Sequence, residues 1–194
     1  MFLLHGTPGS RRDPTPSHKK LHDLDVSLIT FDRPGYGRSD RLESRMVADT
    51  VPDVAAIADA LNVSSFAVLG MAGGGPHALA CAALLPERVS RAAALGSPAP
   101  RRAKGLDWFG GMSDANVNLY MTAATDPEAL GIRLIRAAVD IKADPASHIA
   151  VLTPEMPFAD RQIVADANVR ALLQQTVFDP LCQAVVRHPP LSNH

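Results

Sequence analysis

Cysteine is almost missing from this chain. The two present, Cys81 and Cys182, form no disulfide framework, and no CxxC or Cys/His cluster has zinc spacing, so no metal is expected. Long apolar runs are missing too. No stretch approaches the length of a membrane span, and the apolar residues 1–5 are far too few for a signal peptide. Clusters of positive charge are also lacking: the 19 Lys and Arg residues are scattered and the formal net charge is −1. Phosphate recognition needs clustered cations, so nucleic acid is not the expected partner. The pairs Arg11-Arg12 and Lys19-Lys20 read as solvated surface. A soluble cytoplasmic protein is the expectation.

What is present suits a globular protein. At 194 residues with 46% hydrophobic content, the chain can bury the core of one ordinary domain. Its first half alternates strand and helix. Residues 1–5 are a continuous apolar run of the kind a buried parallel strand shows, and Cys81 sits in an Ala-Leu run as a small packing residue. A loop follows from Gly6 to Pro16, then a short helix over 16–23 capped by Thr15 or Ser17. Residues 26–31 read as a second strand. Over 46–62 the apolar positions Val47, Val51, Val54, Ala55, Ala58 and Leu61 recur at helical spacing, with Pro52 starting or kinking the helix. A third strand is expected over 66–69, a helix over 76–85 and a fourth strand over 89–95. This alternation predicts a parallel sheet with right-handed crossovers. From 105 to 177 no convincing strand is found; 112–124, 127–142 and 158–177 read as helices separated by proline-rich breaks, and 178–194 has no clear period.

Three loops at the carboxyl ends of strands carry the functional signal, where α/β sheets place their sites. Gly70-Met71-Ala72-Gly73-Gly74 joins the third strand to a helix with Pro76 in its first turn. Small residues at 70 and 74 let a strand turn sharply into a helix. A plain glycine loop or a phosphate-cradling turn would use similar residues. However, GxGxxG is absent because position 72 is Ala, and no Lys-Ser/Thr follows as a P-loop requires. The other two loops are His5-Gly6-Thr7-Pro8-Gly9 and Asp32-Arg33-Pro34-Gly35-Tyr36-Gly37-Arg38-Ser39.

Taken in order and spacing over roughly residues 1–100, these loops resemble the α/β-hydrolase superfamily, especially its proline-iminopeptidase-like and small-ester hydrolase branch. The resemblance implies a nucleophile elbow at Gly70, Met71 and Gly74 with residue 72 at its tip. It also implies an oxyanion hole made by the N–H groups of Thr7 and Gly73, and an Asp32–Ser39 turn that shapes the sheet edge. The fold it implies is the parallel sheet core of an α/β hydrolase, about four strands retained in the spatial order second, first, third, fourth, with a helical cap. Residues 1–102 would be the partial core, 103–177 the cap and 178–194 an irregular tail.

The chain departs from that family at the residue that matters most. Ala72 stands where the resemblance implies Ser, Asp or Cys, and a methyl group cannot attack a carbonyl. The acid and the base are unassigned. His148 falls in the cap segment and His188 and His194 in the tail; His77 lies behind the elbow, where packing or solvent contact is the plainer role; His5 belongs to the oxyanion loop. With the strand pair expected ahead of Met1 missing, the chain reads as truncated at both ends, leaving two unpaired sheet edges. The resemblance therefore implies an ester or amide hydrolase impaired by Ala72, acting on or holding a small apolar ester or amide, without a cofactor. A non-catalytic small-ligand module on the same fold is the alternative. A cofactor-independent lyase or oxygenase is weaker, because no base is placed.

Overall fold

The computed structural model describes residues 1–13, 16–144, 150, 153–156 and 158–173. Two compact units divide the chain, Met1–Pro100 and Arg101–His194.

The first unit is built on a four-stranded sheet, parallel as the alternation of strand and helix predicts, in the order β2-β1-β3-β4 that the resemblance implies. The strands are β1 (Phe2–Leu4), β2 (Ile29–Thr30), β3 (Phe66–Met71) and β4 (Val89–Leu95). β1 lies between β2 and β3, pairing Leu3 with Thr30 on one side and Leu4 with Gly70 on the other. This central place explains why β1 is apolar at every position: all three of its residues are buried, as a strand covered on both faces must be.

Two helices cover the core. In α2 (Thr50–Ala60) the buried residues Val51, Val54 and Ala58 fall at helical spacing on one face. Pro52 sits in its first turn, where its missing N–H costs no bond. In α3 (Gly75–Leu84) Pro76 also occupies the first turn, and Ala78 and Cys81 face inward. Phe2, Leu4, Val54, Phe66, Val68, Ala78 and Cys81 close around one another as the core. The Phe2 and Phe66 rings meet edge to face at 4.9 Å. Burying each large side chain contributes roughly 1.5–3 kcal/mol. Burial pushes the Cys81 thiol up to about 11, so it packs as an inert hydrophobe.

The second strand is shorter than the expected 26–31. Asp25 takes a positive φ of 51°, and the Val26 N–H donates to Leu21 O at 2.9 Å. Those residues are thereby spent closing the helix α1 (His18–Asp23), which Ser17 caps by accepting from Lys20 N–H. β3 runs two residues further than expected, because Gly70 and Met71 pair with Ala94 and Leu95. β4 is a sheet edge among the described residues, exposed from Ser90 to Leu95.

The second unit is helical where it is described. Helix α4 (Asp114–Thr125) is capped by Ser113, and α5 (Pro127–Ala143) by Asp126, which accepts the Ala129 N–H at 2.9 Å. Arg133 ties the two helices together, its Nη1 donating to Asn118 Oδ1 at 3.3 Å and Thr122 Oγ1 at 3.4 Å. The single helix expected over 158–177 is instead two, Phe158–Ala165 and Ala167–Leu173. Asp166 explains the break: its Oδ1 accepts the N–H of Asn168 at 2.7 Å and of Val169 at 3.4 Å, which starts a new helix. Residues 174–177 of that expectation, and the 178–194 tail, lie outside the described residues.

Candidate functional site

The corner between β3 and α3 is tight and strained. Ala72 takes a φ of +45°, a conformation that costs an L-residue roughly 1–2 kcal/mol. Its neighbours compel it. A Cβ on Gly70 would lie 2.4 Å from Gly74 O, and one on Gly74 would lie 2.1 Å from Leu4 O and 2.7 Å from His5 O. The corner can therefore press against the end of β1 only with bare backbone at both places. From just beyond the end of β4, Ser97 Oγ donates to Ala72 O at 2.9 Å. Ala72 itself is exposed.

The loop after β1 meets this corner. A Cβ built on Gly6 would stand 3.6 Å from the Ala72 methyl, and one built on Gly73 would stand 2.5 Å from Thr7 Oγ1 and 3.2 Å from Thr7 N. Gly6, Thr7, Ala72 and Gly73 are thus brought together. Met71 ends β3 beneath them.

A buried polar cluster holds the loop in place. Asp13 accepts the N–H of Gly6 at 3.1 Å and of Ser10 at 2.8 Å; burial raises its carboxyl above the usual range. Arg33 is 1% exposed, and its Nη2 donates to His5 O at 3.0 Å, Gly6 O at 2.9 Å and Thr7 Oγ1 at 3.1 Å. The Arg33 backbone N–H donates to His5 Nε2 at 3.0 Å, so the His5 proton sits on Nδ1, which bonds Gly6 O at 2.8 Å. Burial, and then the charge of Arg33, push His5 down to about 4. His5 is therefore neutral and fully engaged. Burial also lowers Arg33 to about 10, which leaves it cationic at neutral pH.

Over this cluster the Tyr36 ring packs edge-on to His5 at 4.9 Å. The guanidinium groups of Arg33 and Arg45 lie 5.1 and 5.8 Å from the ring centre. The Tyr36 hydroxyl reaches Thr7 Oγ1 at 3.5 Å.

The third loop is knotted about Asp32. Its carboxylate accepts the backbone N–H of Arg11 at 2.8 Å and of Arg38 at 3.1 Å, and pairs with the Arg11 guanidinium. Its carbonyl accepts Ser39 Oγ at 2.6 Å. Gly37 turns at φ +52°, where a Cβ would strike the Asp32 carboxylate at 2.3 Å. Arg11 is thus not the wholly solvated residue that its Arg-Arg setting suggests: its head is held by a side chain 21 residues away. Asp32→Ala strands two N–H groups and is expected to cost about 2–4 kcal/mol, read from urea unfolding midpoints. A loss below 1 kcal/mol would contradict this account of the turn.

His77 points away from the corner. Its Nδ1 meets Thr50 Oγ1 at 2.8 Å and Val47 O at 3.0 Å, and burial pushes it down to about 4. It packs between α3 and the start of α2. His148, His188, His194 and Cys182 lie outside the described residues. Among the described residues, no three His, Cys, Asp or Glu side chains gather to hold a metal ion, and no helix is long and apolar enough to cross a membrane. An open hollow of about 720 Å³ lies in the second unit, lined by Pro154, Arg161, Val164 and Arg170 among others. None of the residues expected in the site lines it.

Sequence reasoning missed Arg33 and Asp13. The available signal was an arginine locked between a strand end and a proline, in a turn that also held the motif aspartate.

The alpha/beta hydrolase fold family matches residues 1–126, and the chain belongs to it. Among solved structures, an alpha/beta hydrolase fold protein from Nakamurella multipartita is 24% identical. It covers 96% of this chain and 67% of its own, with a TM-score of 0.48. A hydrolase from Pseudomonas aeruginosa is 19% identical, with coverages of 94% and 61% and a TM-score of 0.51. A thermophilic esterase from Thermogutta terrifontis, in a malate-bound structure, is 15% identical, with coverages of 95% and 59% and a TM-score of 0.54. The chain thus spans between 59% and 67% of these three neighbours' lengths. No curated protein matches it.

Proposed function

We propose that this chain is an ester- or amide-hydrolase scaffold whose covalent route is closed at Ala72, leaving a site that binds a small ligand without turning it over. The observation that carries this reading is the corner itself. Ala72 stands at φ +45° between a strand and a helix, with Thr7 and Gly73 beside it. On this reading Gly70, Met71 and Gly74 form a nucleophile elbow, and the N–H groups of Thr7 and Gly73 are oxyanion donors. A methyl group at the tip has no lone pair to attack a carbonyl carbon and no proton to give up. His5 and His77, both neutral and engaged elsewhere, are not bases for that position. The donors can polarise a carbonyl, but no acyl group can be transferred to the protein.

Short p-nitrophenyl esters test this with the wild-type chain and Ala72→Ser. The wild-type chain is expected to show neither a burst nor saturable turnover. The serine variant is expected to gain no more than about tenfold, because the members of a catalytic triad act as a unit and one restored alone recovers little. Saturable wild-type turnover with an acyl-enzyme burst would overturn the proposal. A thousandfold gain in the serine variant would place a working acid and base over residue 72, with alanine alone closing the route.

A further inference from the structure

The hollow in the second unit has a definite chemistry. Its volume of about 720 Å³ falls within the range of ligand pockets, roughly 300–1,000 Å³. The helix Phe158–Ala165 forms one wall. Arg161 stands three and four residues before Val164 and Ala165, so the three share one face of that helix, and all of them line the hollow. Ala150 and Pro154 line it from the preceding segment, and Arg170 from the helix Ala167–Leu173. Val164 is buried, while Ala150, Pro154 and Ala165 leave apolar surface exposed.

Both charges on this lining are positive, and no carboxylate joins them among the described side chains. Elsewhere Arg11 and Arg88 each hold an aspartate. Arg161 makes no hydrogen bond or ion pair among the described residues. Arg170 spends only Nη1, which donates to Val164 O at 3.1 Å and Ala165 O at 2.8 Å. Those bonds fix its guanidinium at the end of the helix Phe158–Ala165 and leave Nη2 and Nε unspent. Of the aspartates close by in the chain, Asp160 does not line the hollow, and Asp166 turns Oδ1 onto the N–H groups of Asn168 and Val169. A guanidinium is planar, and its paired N–H groups match the two oxygens of a carboxylate. The apolar wall beside it favours a ligand with a hydrocarbon part, which gains by leaving water.

We infer that this hollow binds an amphiphilic carboxylate, its head at Arg161 and Arg170 and its hydrocarbon part along Val164, Ala165 and Pro154. The inference stands apart from the reading of residue 72, since none of these residues belongs to the corner.

The test titrates hexanoate, octanoate, octanol and octylammonium into the full chain at matched ionic strength, below the concentrations at which they aggregate. Thermal unfolding, the Val164 methyl signals and the Nε–H signals of Arg161 and Arg170 are followed together, with the Thr7 and Gly73 amide signals as a control. Octanoate is expected to raise the melting temperature in a saturable way. It should move the Val164 and both arginine signals and leave Thr7 and Gly73 unchanged. Octanol should bind at least about tenfold more weakly and octylammonium not at all, and each methylene beyond hexanoate should tighten binding by up to about fourfold. Arg161→Gln, which breaks no described bond, is expected to weaken octanoate about tenfold, and Arg161→Lys by less. Ala165→Trp fills the hollow from an exposed position without removing either charge, and should abolish binding. Equal binding of octanol and octanoate would overturn the charge assignment, and equal binding of hexanoate and octanoate the apolar one. Octanoate that lowers the melting temperature without saturating, leaves Val164 and the arginines unmoved, or moves Thr7 and Gly73 in their place would overturn the site itself.

Discussion

Gly74→Ala is expected to leave the chain unable to fold to a stable state. The added Cβ would meet Leu4 O at 2.1 Å, Leu4 C at 2.8 Å and His5 O at 2.7 Å. None of these atoms is the free end of a side chain. Leu4 lies in the central strand, paired with Gly70 on β3, and His5 O is already held by Arg33. Relief requires moving β1 away from β3 or opening the corner, either of which breaks the core around Phe2 and Leu4. Overpacking against side chains costs about 1–3 kcal/mol; against fixed backbone the cost should exceed the top of that range, a large part of a domain's total stability of roughly 5–15 kcal/mol. Gly35→Ala is the control. Gly35 has φ +84° but nothing within 4 Å of its Cβ position, so it should lose only the strain of the backbone, about 1–2 kcal/mol. Urea unfolding followed by circular dichroism reads both. A Gly74→Ala variant within 1 kcal/mol of wild type would mean that the corner does not press on β1 as described.

Acid should weaken the fold well before the surface carboxylates titrate. His5 and His77 are both pushed from 6.5 down to about 4, chiefly by burial. Between these values the unfolded chain takes up protons that the folded chain refuses. The direction follows directly: stability is fully present above about pH 6.5, falls as pH drops, and levels off for these two groups near pH 4. At 1.36 kcal/mol per pH unit each histidine can remove about 3 kcal/mol over that window. Asp13, raised by burial, runs the other way, because its folded form accepts a proton more readily than the unfolded one, and it offsets part of the loss. Melting temperatures at pH 7, 5.5 and 4.5 should therefore fall steadily. His77→Gln, which keeps an N–H for Val47 O, should flatten the slope by about half. A melting temperature unchanged from pH 7 to 4.5 would refute this assignment of buried neutral imidazoles.

Much of the fold was legible because its signals are local. The all-apolar β1, the helical spacing of Val51, Val54 and Ala58, and the prolines placed in first turns each state a local preference that the sheet then satisfies. The parallel sheet followed from the alternation of strand and helix, and the strand order from the resemblance of the three loops. What escaped depended on which of several competing bonds the chain makes. The second strand lost its first residues to a backbone bond reaching back to Leu21, which no alternation pattern reveals. The helix after 158 broke because Asp166 turned its carboxylate onto the chain ahead, a choice that an apolar face spanning the break concealed. At the candidate site, small residues announced the corner, and its clearance distances explain why they must be small. Asp13 gave no such sign and Arg33 only its place in the Asp32–Ser39 turn, since a charged side chain reads as surface until the carbonyls and N–H groups that surround it are known.

The twist at residue 72 has a consequence for altering this protein. A methyl group gains nothing from φ +45°, so the conformation is imposed from outside: by bare backbone crowding at Gly70 and Gly74, and by the hydroxyl of Ser97 gripping the carbonyl. The corner is accordingly a socket whose form does not depend on what is plugged into it. Side chains of modest size could be exchanged at that position while the surrounding framework stays as it is, making residue 72 the natural point at which to install a new reactive group.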